Sequence, residues 1–232
     1  MNFTEMLDTY WLYFLVGQYP EGPLGGLSLT LLLAALGLVL ALPVGLLLGL
    51  MRVSPWRALR WPVTAWVFLV RATPLLMVVF WAYFFPAVFG LQLSKFTSVL
   101  IALTLFTAAY IAEIVRGGIR SVEPGHVEAA RALGLSPFEA RLYVVLPQAF
   151  FNMLPALAGR YVVAIKNTSL AFLIGLADLT EIGKQIGARL MTAPVEVYLT
   201  LLLVYFLVNR GLSLLLRALE DRRRFNRVFL RI

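Results

Sequence analysis

The charged residues that lie inside otherwise mostly apolar stretches of the chain include Arg71, Glu113 and Lys166. An ionised side chain at the centre of a membrane costs about 2.5–3.5 kcal/mol on insertion scales, so each of these residues needs a partner or water. Together they offer both signs of charge, which is what a solute with one carboxylate and one ammonium group requires. We therefore predict that these residues belong to a polar path.

Each of these residues also has a purely structural interpretation. Glu113 and Arg116 are three residues apart on one helical face, so they can form an ion pair near a helix end. Arg71 can extend its guanidinium to the lipid headgroups if its span begins there. The polar patch that begins at Lys166 either lines a water-filled path or forms hydrogen bonds with neighbouring helices. Its further members are Asn167, Thr168 and Ser169.

The residues needed for most enzyme chemistry are missing from the sequence. There is no cysteine, so disulfides, thiol nucleophiles and thiolate metal ligands are excluded. The single histidine, His126, has no second histidine or cysteine with which to build a metal site. Gly183-Lys184-Gln185 lacks the glycine spacing and the hydroxyl of a phosphate-binding loop. We therefore predict that the chain is not an enzyme, binds no metal or other cofactor, and relies on a separate chain if ATP drives its activity.

The composition indicates a membrane protein. The chain has 232 residues, of which 61% are hydrophobic and 14% charged, whereas soluble domains have about 45–50% apolar and about 25% charged residues. No charged residue occurs between Glu21 and Arg52, or between Arg71 and Lys95. Both runs exceed the roughly 20 apolar residues that cross a bilayer as a helix. The net charge of +8 is divided among short connections and the C-terminal segment, so we expect no nucleic-acid partner.

The predicted fold class is an all-α polytopic membrane protein, with residues 1–232 forming a single transmembrane domain. We predict about five transmembrane helices, and their approximate ranges are 24–51, 61 or 71 to 89, 96–115, 151–176 and 194–216. The start of the second is ambiguous because residues 56–70 suit either a span or an amphipathic helix at the interface. Asp178 and Glu181 follow the fourth span, where we expect solvated loop charges rather than contacts to another protein.

The basic residues of the connections predict the orientation. Thirteen arginines fall after the first span, after the third span and in the C-terminal segment, whereas the other side has only Lys95, Lys184 and Arg189. Because cytoplasmic connections carry the excess of basic residues, the N-terminus is predicted outside and the C-terminus in the cytoplasm. The basic tail, residues 217–232, is predicted to contact anionic lipid headgroups.

A polar connection over residues 117–147 interrupts this apolar chain. A short helix is predicted to end at Gly134, since glycine accepts the positive φ of a helix C-cap. Ser136 can cap a second short helix, with Pro137 as its first residue and Glu139 as the reciprocal partner of a capping box. Pro147 then marks a bend before the fourth span. Two short helices at a rigid corner result, unless they simply lie on the membrane surface.

The residues of this connection resemble the signature cytoplasmic loop of permease subunits of bacterial ABC importers. That pattern is Glu-Ala-Ala, three residues, Gly, nine residues, then Ile-x-Leu-Pro. Val144 replaces its isoleucine here and keeps a β-branched apolar side chain. The matching residues are Glu128, Ala129, Ala130, Gly134, Leu146 and Pro147.

Further motifs resemble the polar amino-acid uptake family of these permeases, which serves amino acids such as histidine, glutamate, glutamine and arginine. The stretch Arg71-Ala72-Thr73-Pro74-Leu75-Leu76 is similar to the family's Arg-Gly-Thr-Pro-Leu-Leu, with Ala72 in place of glycine. The family's Lys-x-Thr-Ser-Leu is matched from Lys166 to Leu170. Its Tyr-x-x-Glu-x-x-Arg-Gly-Gly-Ile is matched by Tyr110, Glu113, Arg116, Gly117, Gly118 and Ile119. In order, these matches cover about residues 25–215.

The resemblance implies a type I ABC importer permease fold in the bacterial inner membrane. It implies a second permease subunit (the same chain or a homologue), two cytoplasmic ATP-binding subunits that hold ATP and Mg, an external solute-binding protein and a polar amino acid as substrate. The loop at Glu128–Gly134 would couple the spans to the ATPase during alternating access. Candidate residues of the substrate path are then Arg71, Thr73, Glu113, Lys166, Asn167, Thr168 and Ser169. The alternative is an ion-coupled secondary transporter or a channel subunit; such transporters usually show inverted repeats.

Overall fold

The computed structural model describes residues 3–190 and 194–229, with the backbone alone at 194 and 219–229. This part of the chain is almost entirely helical. Much of the predicted basic tail, residues 217–232, therefore lies outside the described side chains. The helices are α1 (Phe3–Val16), α2 (Gly26–Arg52), α3 (Arg57–Ala72), α4 (Leu75–Val88), α5 (Lys95–Arg120), α6 (Pro124–Ala132), α7 (Pro137–Glu139), α8 (Leu146–Thr168), α9 (Leu179–Leu190) and α10 (Pro194–Phe229).

Within the described part of the chain, four helical runs are long and apolar enough to cross a membrane, and the count rises to five if the bent pair α3 and α4 forms one span. The prediction of about five spans agrees with this result. The break in the second span has a local cause, because Pro74 restricts the residue before it to extended backbone. Thr73 accordingly has φ −90° and ψ 134°, and its N–H and hydroxyl both donate to the Leu69 carbonyl. The four single runs are Gly26–Arg52, Lys95–Arg120, Pro137–Ile174 and Val195–Ala218.

The contacts divide the chain into two compact units, which we call the terminal unit and the central unit. The terminal unit comprises Met1–Leu38, Leu75–Leu103 and Tyr161–Ile232. Its core joins α1, α9 and α10 through buried apolar side chains, namely Met6, Phe14, Leu179, Ile182, Ile186, Val197 and Leu201. Neither α1 nor α9 was predicted, because with 14 and 12 residues both are shorter than the roughly 20 residues of a membrane span.

The expectation of a solvated charge at Asp178 is wrong. This residue is fully buried in the terminal unit, where it caps α9: its Oδ1 accepts the Glu181 N–H at 3.0 Å. Its Oδ2 accepts the Tyr205 hydroxyl at 3.4 Å. Burial raises the pKa of Asp178 to about 7. Glu181 is not a solvated loop charge either: it lies in the first turn of α9, its side chain is 12% exposed, and its Oε2 is 3.4 Å from Nζ of the exposed Lys184.

The central unit comprises Val39–Pro74 and Thr104–Arg160. Within it, α2 and α5 approach each other closely along Gly45 and Gly49. A Cβ at Gly45 would lie 2.5 Å from Ile111 Cβ, and one at Gly49 would lie 2.5 Å from Val115 Cβ. Small residues four apart allow the close backbone approach on which helix packing in membranes depends. Ile111 and Val115 belong to the buried core of this unit.

The polar connection of the central unit adopts the predicted capped corner. Gly134 has φ +90°, and α6 ends in a complete Schellman motif: Leu135 N–H donates to Ala130 O and Gly134 N–H to Arg131 O. Ser136 and Glu139 form the predicted capping box. We call residues 124–139 the elbow.

The prediction that the second helix of this connection is short is wrong. From Pro137 the chain continues through a π-helical segment, Ala140–Val145, directly into α8. Leu146 N–H donates to Arg141 O, five residues back, which is the hydrogen bond of a π-helical turn. This wider turn comes directly before Pro147, which has no N–H to donate. The run Pro137–Ile174 has 38 residues and would measure about 57 Å at 1.5 Å per residue, well beyond the ~30 Å hydrocarbon core. Part of it must protrude from the bilayer.

Gly49→Ala should destabilise the central unit, because the added methyl group meets Val115 at 2.5 Å. Overpacking of this kind costs about 1–3 kcal/mol. We expect a lower thermal unfolding midpoint for the detergent-purified protein. Gly211→Ala is the matched control, since a Cβ there has open space around it. Equal midpoints for the two variants would contradict the close packing of α2 against α5.

Candidate functional site

The Glu113 carboxylate is shared by three arginines of the central unit. Arg52 Nη1 lies 2.5 Å and Arg71 Nη1 3.0 Å from Glu113 Oε2. Arg116 donates to the other oxygen, Oε1, through both Nε and Nη2. Charge-assisted hydrogen bonds of this kind are about twice as strong as neutral ones. The predicted Glu113–Arg116 pair is therefore present, but it is one part of a larger cluster.

Three helices supply these four charged residues. Tyr110, Glu113 and Arg116 recur at three-residue intervals on one side of α5, where helical neighbours lie together. Arg52 is the last residue of α2, and Arg71 lies in the last turn of α3. Sequence analysis placed Arg52 among the basic connections, so its role in neutralising Glu113 was missed. Arg52 is only 8% exposed.

Two arginines flank the Tyr110 ring. Arg160 Cζ lies 4.1 Å and Arg71 Cζ 5.2 Å from the ring centroid, well within the range of cation–π attraction. Arg160 belongs to α8, and its Nε and Nη2 are buried without a hydrogen-bond partner. Sequence analysis did not single out Arg160, although a charged residue within the predicted fourth span was the signal that would have found it.

This cluster, which comprises Arg52, Arg71, Tyr110, Glu113, Arg116 and Arg160, carries more positive than negative charge. It contains four guanidinium groups and one carboxylate, which contacts three of them, and two nitrogens of Arg160 have no acceptor. Unsatisfied buried donors are costly, so they favour an added acceptor. The arrangement is suited to binding a carboxylate or another small anion.

Thr73 lies at the end of α3 in the central unit, and the other four path candidates lie in the terminal unit. A cavity of about 390 Å³ between α8 and α10 is lined by Lys166, Ser169, Tyr205, Asn209, Arg210 and Ser213, together with Val162 and Phe206. Thr168 is fully buried and its hydroxyl donates to the Ile165 carbonyl. Asn167 is half-buried, with Nδ2 unpartnered. Of the four polar residues, Lys166 and Ser169 face the cavity.

The predicted coupling residues are mostly exposed on the elbow and just beyond it. Glu128, Ala129, Gly134 and Pro147 are exposed, whereas Ala130 is buried against the central unit. Two large apolar side chains stand beside them in solvent: Leu133 is 82% and Phe138 71% exposed. The elbow therefore presents both charged and apolar side chains on its exposed face.

Residues 41–225 match the family described as "binding-protein-dependent transport system inner membrane component". This chain belongs to that family. It is 37% identical over 199 residues to the glutamine transport system permease protein GlnP of Escherichia coli K12, covering 85% of this chain and 90% of the relative. It is 35% identical over 207 residues to the glutamate/aspartate import permease protein GltK of Escherichia coli O6:H1, covering 86% and 92%.

The solved structures agree with this assignment. An amino acid ABC transporter crystallised with histidines matches with a TM-score of 0.85 and 32% identity, covering 96% of this chain and 99% of the other. The inward-facing methionine ABC transporter MetNI matches with a TM-score of 0.60 and 25% identity, covering 82% and 91%. The predicted all-α fold of a type I ABC importer permease is thereby confirmed. The protein is a multi-pass transport subunit of the inner membrane.

Replacing Glu113 by glutamine should destabilise this permease, because it leaves Arg52 buried without a counter-charge. Removing one partner of a buried ion pair costs up to about 3–5 kcal/mol. We expect a clearly lower thermal unfolding midpoint, partly restored by adding Arg52→Gln. Glu128→Gln is the control of equal charge change at an exposed position. A midpoint equal to that of the control would show that the cluster contributes nothing to stability.

Proposed function

We propose that this chain is the membrane subunit of an ATP-driven importer of a polar amino acid. The complex would contain a second permease subunit, two cytoplasmic subunits that bind ATP and Mg, and an external solute-binding protein. The names of the relatives support the substrate class, since they are transporters of glutamine, of glutamate and aspartate, and of cystine. The observation that carries the proposal is the elbow, a capped and exposed corner that a simple membrane anchor would not need.

The elbow is suited to transmit motion. Both of its turns are fixed by local hydrogen bonds, so a force applied at Glu128 or Leu133 is not absorbed by loop flexibility. Beyond Ser136 the chain passes into α8 without a loop, which joins the contact surface to a membrane span. Movement of a bound ATPase would thereby switch the spans between two states of access.

The charge distribution supports one orientation. In this proposal, residues 117–147 form a cytoplasmic coupling loop within a single domain of residues 1–232, the basic segment 217–232 is also cytoplasmic, and the N-terminus is outside. The excess of arginine on that side is the basis, through the positive-inside rule. The elbow then faces the compartment where ATP is present.

Gly134→Val should uncouple transport from ATP hydrolysis while leaving the subunit inserted. A β-branched residue at φ +90° carries strain of about 1–3 kcal/mol, enough to reduce occupancy of the native corner roughly tenfold. The measurement is ATP-dependent uptake and ATPase activity of the intact complex in proteoliposomes. Gly125→Val is the control, since Gly125 lies in the same elbow at negative φ with open space around its Cβ. Wild-type uptake by Gly134→Val would refute the coupling role.

We further propose that the Tyr110–Arg160 pair binds the substrate carboxylate. Arg160 is held over the ring with two donors unused, and a carboxylate accepts two such donors in the bidentate geometry of guanidinium. Arg71, which also contacts the Tyr110 ring, would contact the substrate as well. Lys166 and Ser169 would line a further part of the path, and Thr73 would set its shape at the helix break.

Arg160→Gln should reduce uptake by about ten- to a hundredfold, the equivalent of the roughly 1.5–3 kcal/mol of a hydrogen bond to a charged group. The measurement compares the variant with the wild type in uptake and in basal ATPase activity of the reconstituted complex. Arg189→Gln is the matched control, because Arg189 also stacks on a tyrosine, Tyr13, at 5.2 Å in the terminal unit. Equal uptake by the two variants would dismiss the substrate role of Arg160 without affecting the coupling proposal.

A further inference from the structure

A second arginine-rich feature of the central unit lies beside the Glu113 cluster. It is a cavity of about 330 Å³, bounded by the ends of α2 and α5 and the beginning of α3. We call it the arginine cavity. Its lining residues are Arg52, Arg60, Trp61, Thr64, Arg116 and Arg120. Four of these six are cationic and none is acidic.

The positive charge of this cavity is only partly neutralised. Glu113 contacts Arg52 and Arg116 but does not line the cavity. Arg60 and Arg120 have no carboxylate partner among the described side chains. Arg52 is nine-tenths buried, and its Nε has no hydrogen-bond partner. A buried donor without an acceptor carries a desolvation cost that a bound anion would relieve.

We propose that the arginine cavity binds a phosphate group, supplied by an anionic phospholipid or by a soluble phosphate compound. Guanidinium groups bind phosphate oxygens in a bidentate fashion, and several converging arginines are typical of phosphate recognition. The Thr64 hydroxyl and the Trp61 indole N–H are further donors on the cavity wall. This site is separate from the proposed substrate position, because Tyr110 and Arg160 do not line the cavity.

The surroundings of the cavity favour the phospholipid. Trp61 is largely exposed on α3, and Phe68, seven residues further along the same face, is more exposed still. A lipid with its phosphate in the cavity would lay an acyl chain along these side chains. Tryptophan and arginine together are also typical of the headgroup level of a bilayer. A soluble phosphate compound would use the arginines alone.

The experiment titrates the purified, delipidated complex in detergent and follows its thermal unfolding midpoint, which rises when a ligand binds the folded state. The probes are phosphatidylglycerol, phosphatidylcholine and inorganic phosphate. We expect phosphatidylglycerol to raise the midpoint at concentrations about tenfold below those of phosphatidylcholine. If inorganic phosphate raises it equally well, the ligand is a soluble phosphate compound; if phosphatidylglycerol alone does so, it is the lipid.

The variant pair Arg60→Gln/Arg120→Gln tests the site itself. Both residues line the cavity without contacting Glu113, so the cluster that stabilises the unit stays intact. We expect this pair of substitutions to raise the phosphatidylglycerol concentration needed for the midpoint shift by about tenfold or more. Arg57→Gln/Arg189→Gln is the control, with the same change of charge at exposed positions outside the cavity and outside the elbow.

Two results would overturn the proposal. One is that none of the probes stabilises the wild type. The other is that both variant pairs weaken the response equally, since that would reflect general surface charge. If no probe stabilises the wild type and the ATPase subunits dissociate from Arg60→Gln/Arg120→Gln, the cavity is a protein contact and not a phosphate site.

Discussion

The ion pairs of Glu113 are the interaction on which the central unit depends. One carboxylate contacts arginines from the ends of α2 and α3 and from its own helix, α5. In an apolar protein these four charges stabilise one another only while they remain together, because an isolated buried charge is costly. The cluster therefore fixes three helix ends against each other. Both proposed anion sites use the positive charge that Glu113 does not neutralise.

The positive charge that Glu113 does not neutralise is divided between two groups of arginines. Arg160 and Arg71 both contact the Tyr110 ring in one part of the cluster, whereas Arg60 and Arg120 line the arginine cavity together with Arg52. A single acidic residue thus organises two groups of donors with different surroundings. The first has an aromatic ring and buried, unpartnered nitrogens, which suits a small solute. The second has headgroup-level residues at its rim, which suits a phosphate.

The elbow is stabilised differently. Its shape comes from hydrogen bonds between residues at most five apart: a Schellman motif at Gly134 and a capping box from Ser136 to Glu139. Such a corner would keep its form while its surface, with Leu133 and Phe138 exposed, contacted the proposed ATPase subunit. Rigidity from local bonds and attachment to a long helix are the two properties required of a coupling element.

The sequence by itself determined the features that depend on neighbouring residues: the charge-free runs that become spans, the caps of the elbow and the pairing of Glu113 with Arg116. The residues that make these features lie within one or two helical turns of each other in the sequence, so residue spacing is sufficient to predict them. Only the tertiary structure decided that Arg52, Arg71 and Arg160 meet around Tyr110 and Glu113, and that Asp178 is buried beneath Tyr205. Arg52 and Glu113 are 61 residues apart, and packing of separate helices, which no local pattern encodes, brings them together.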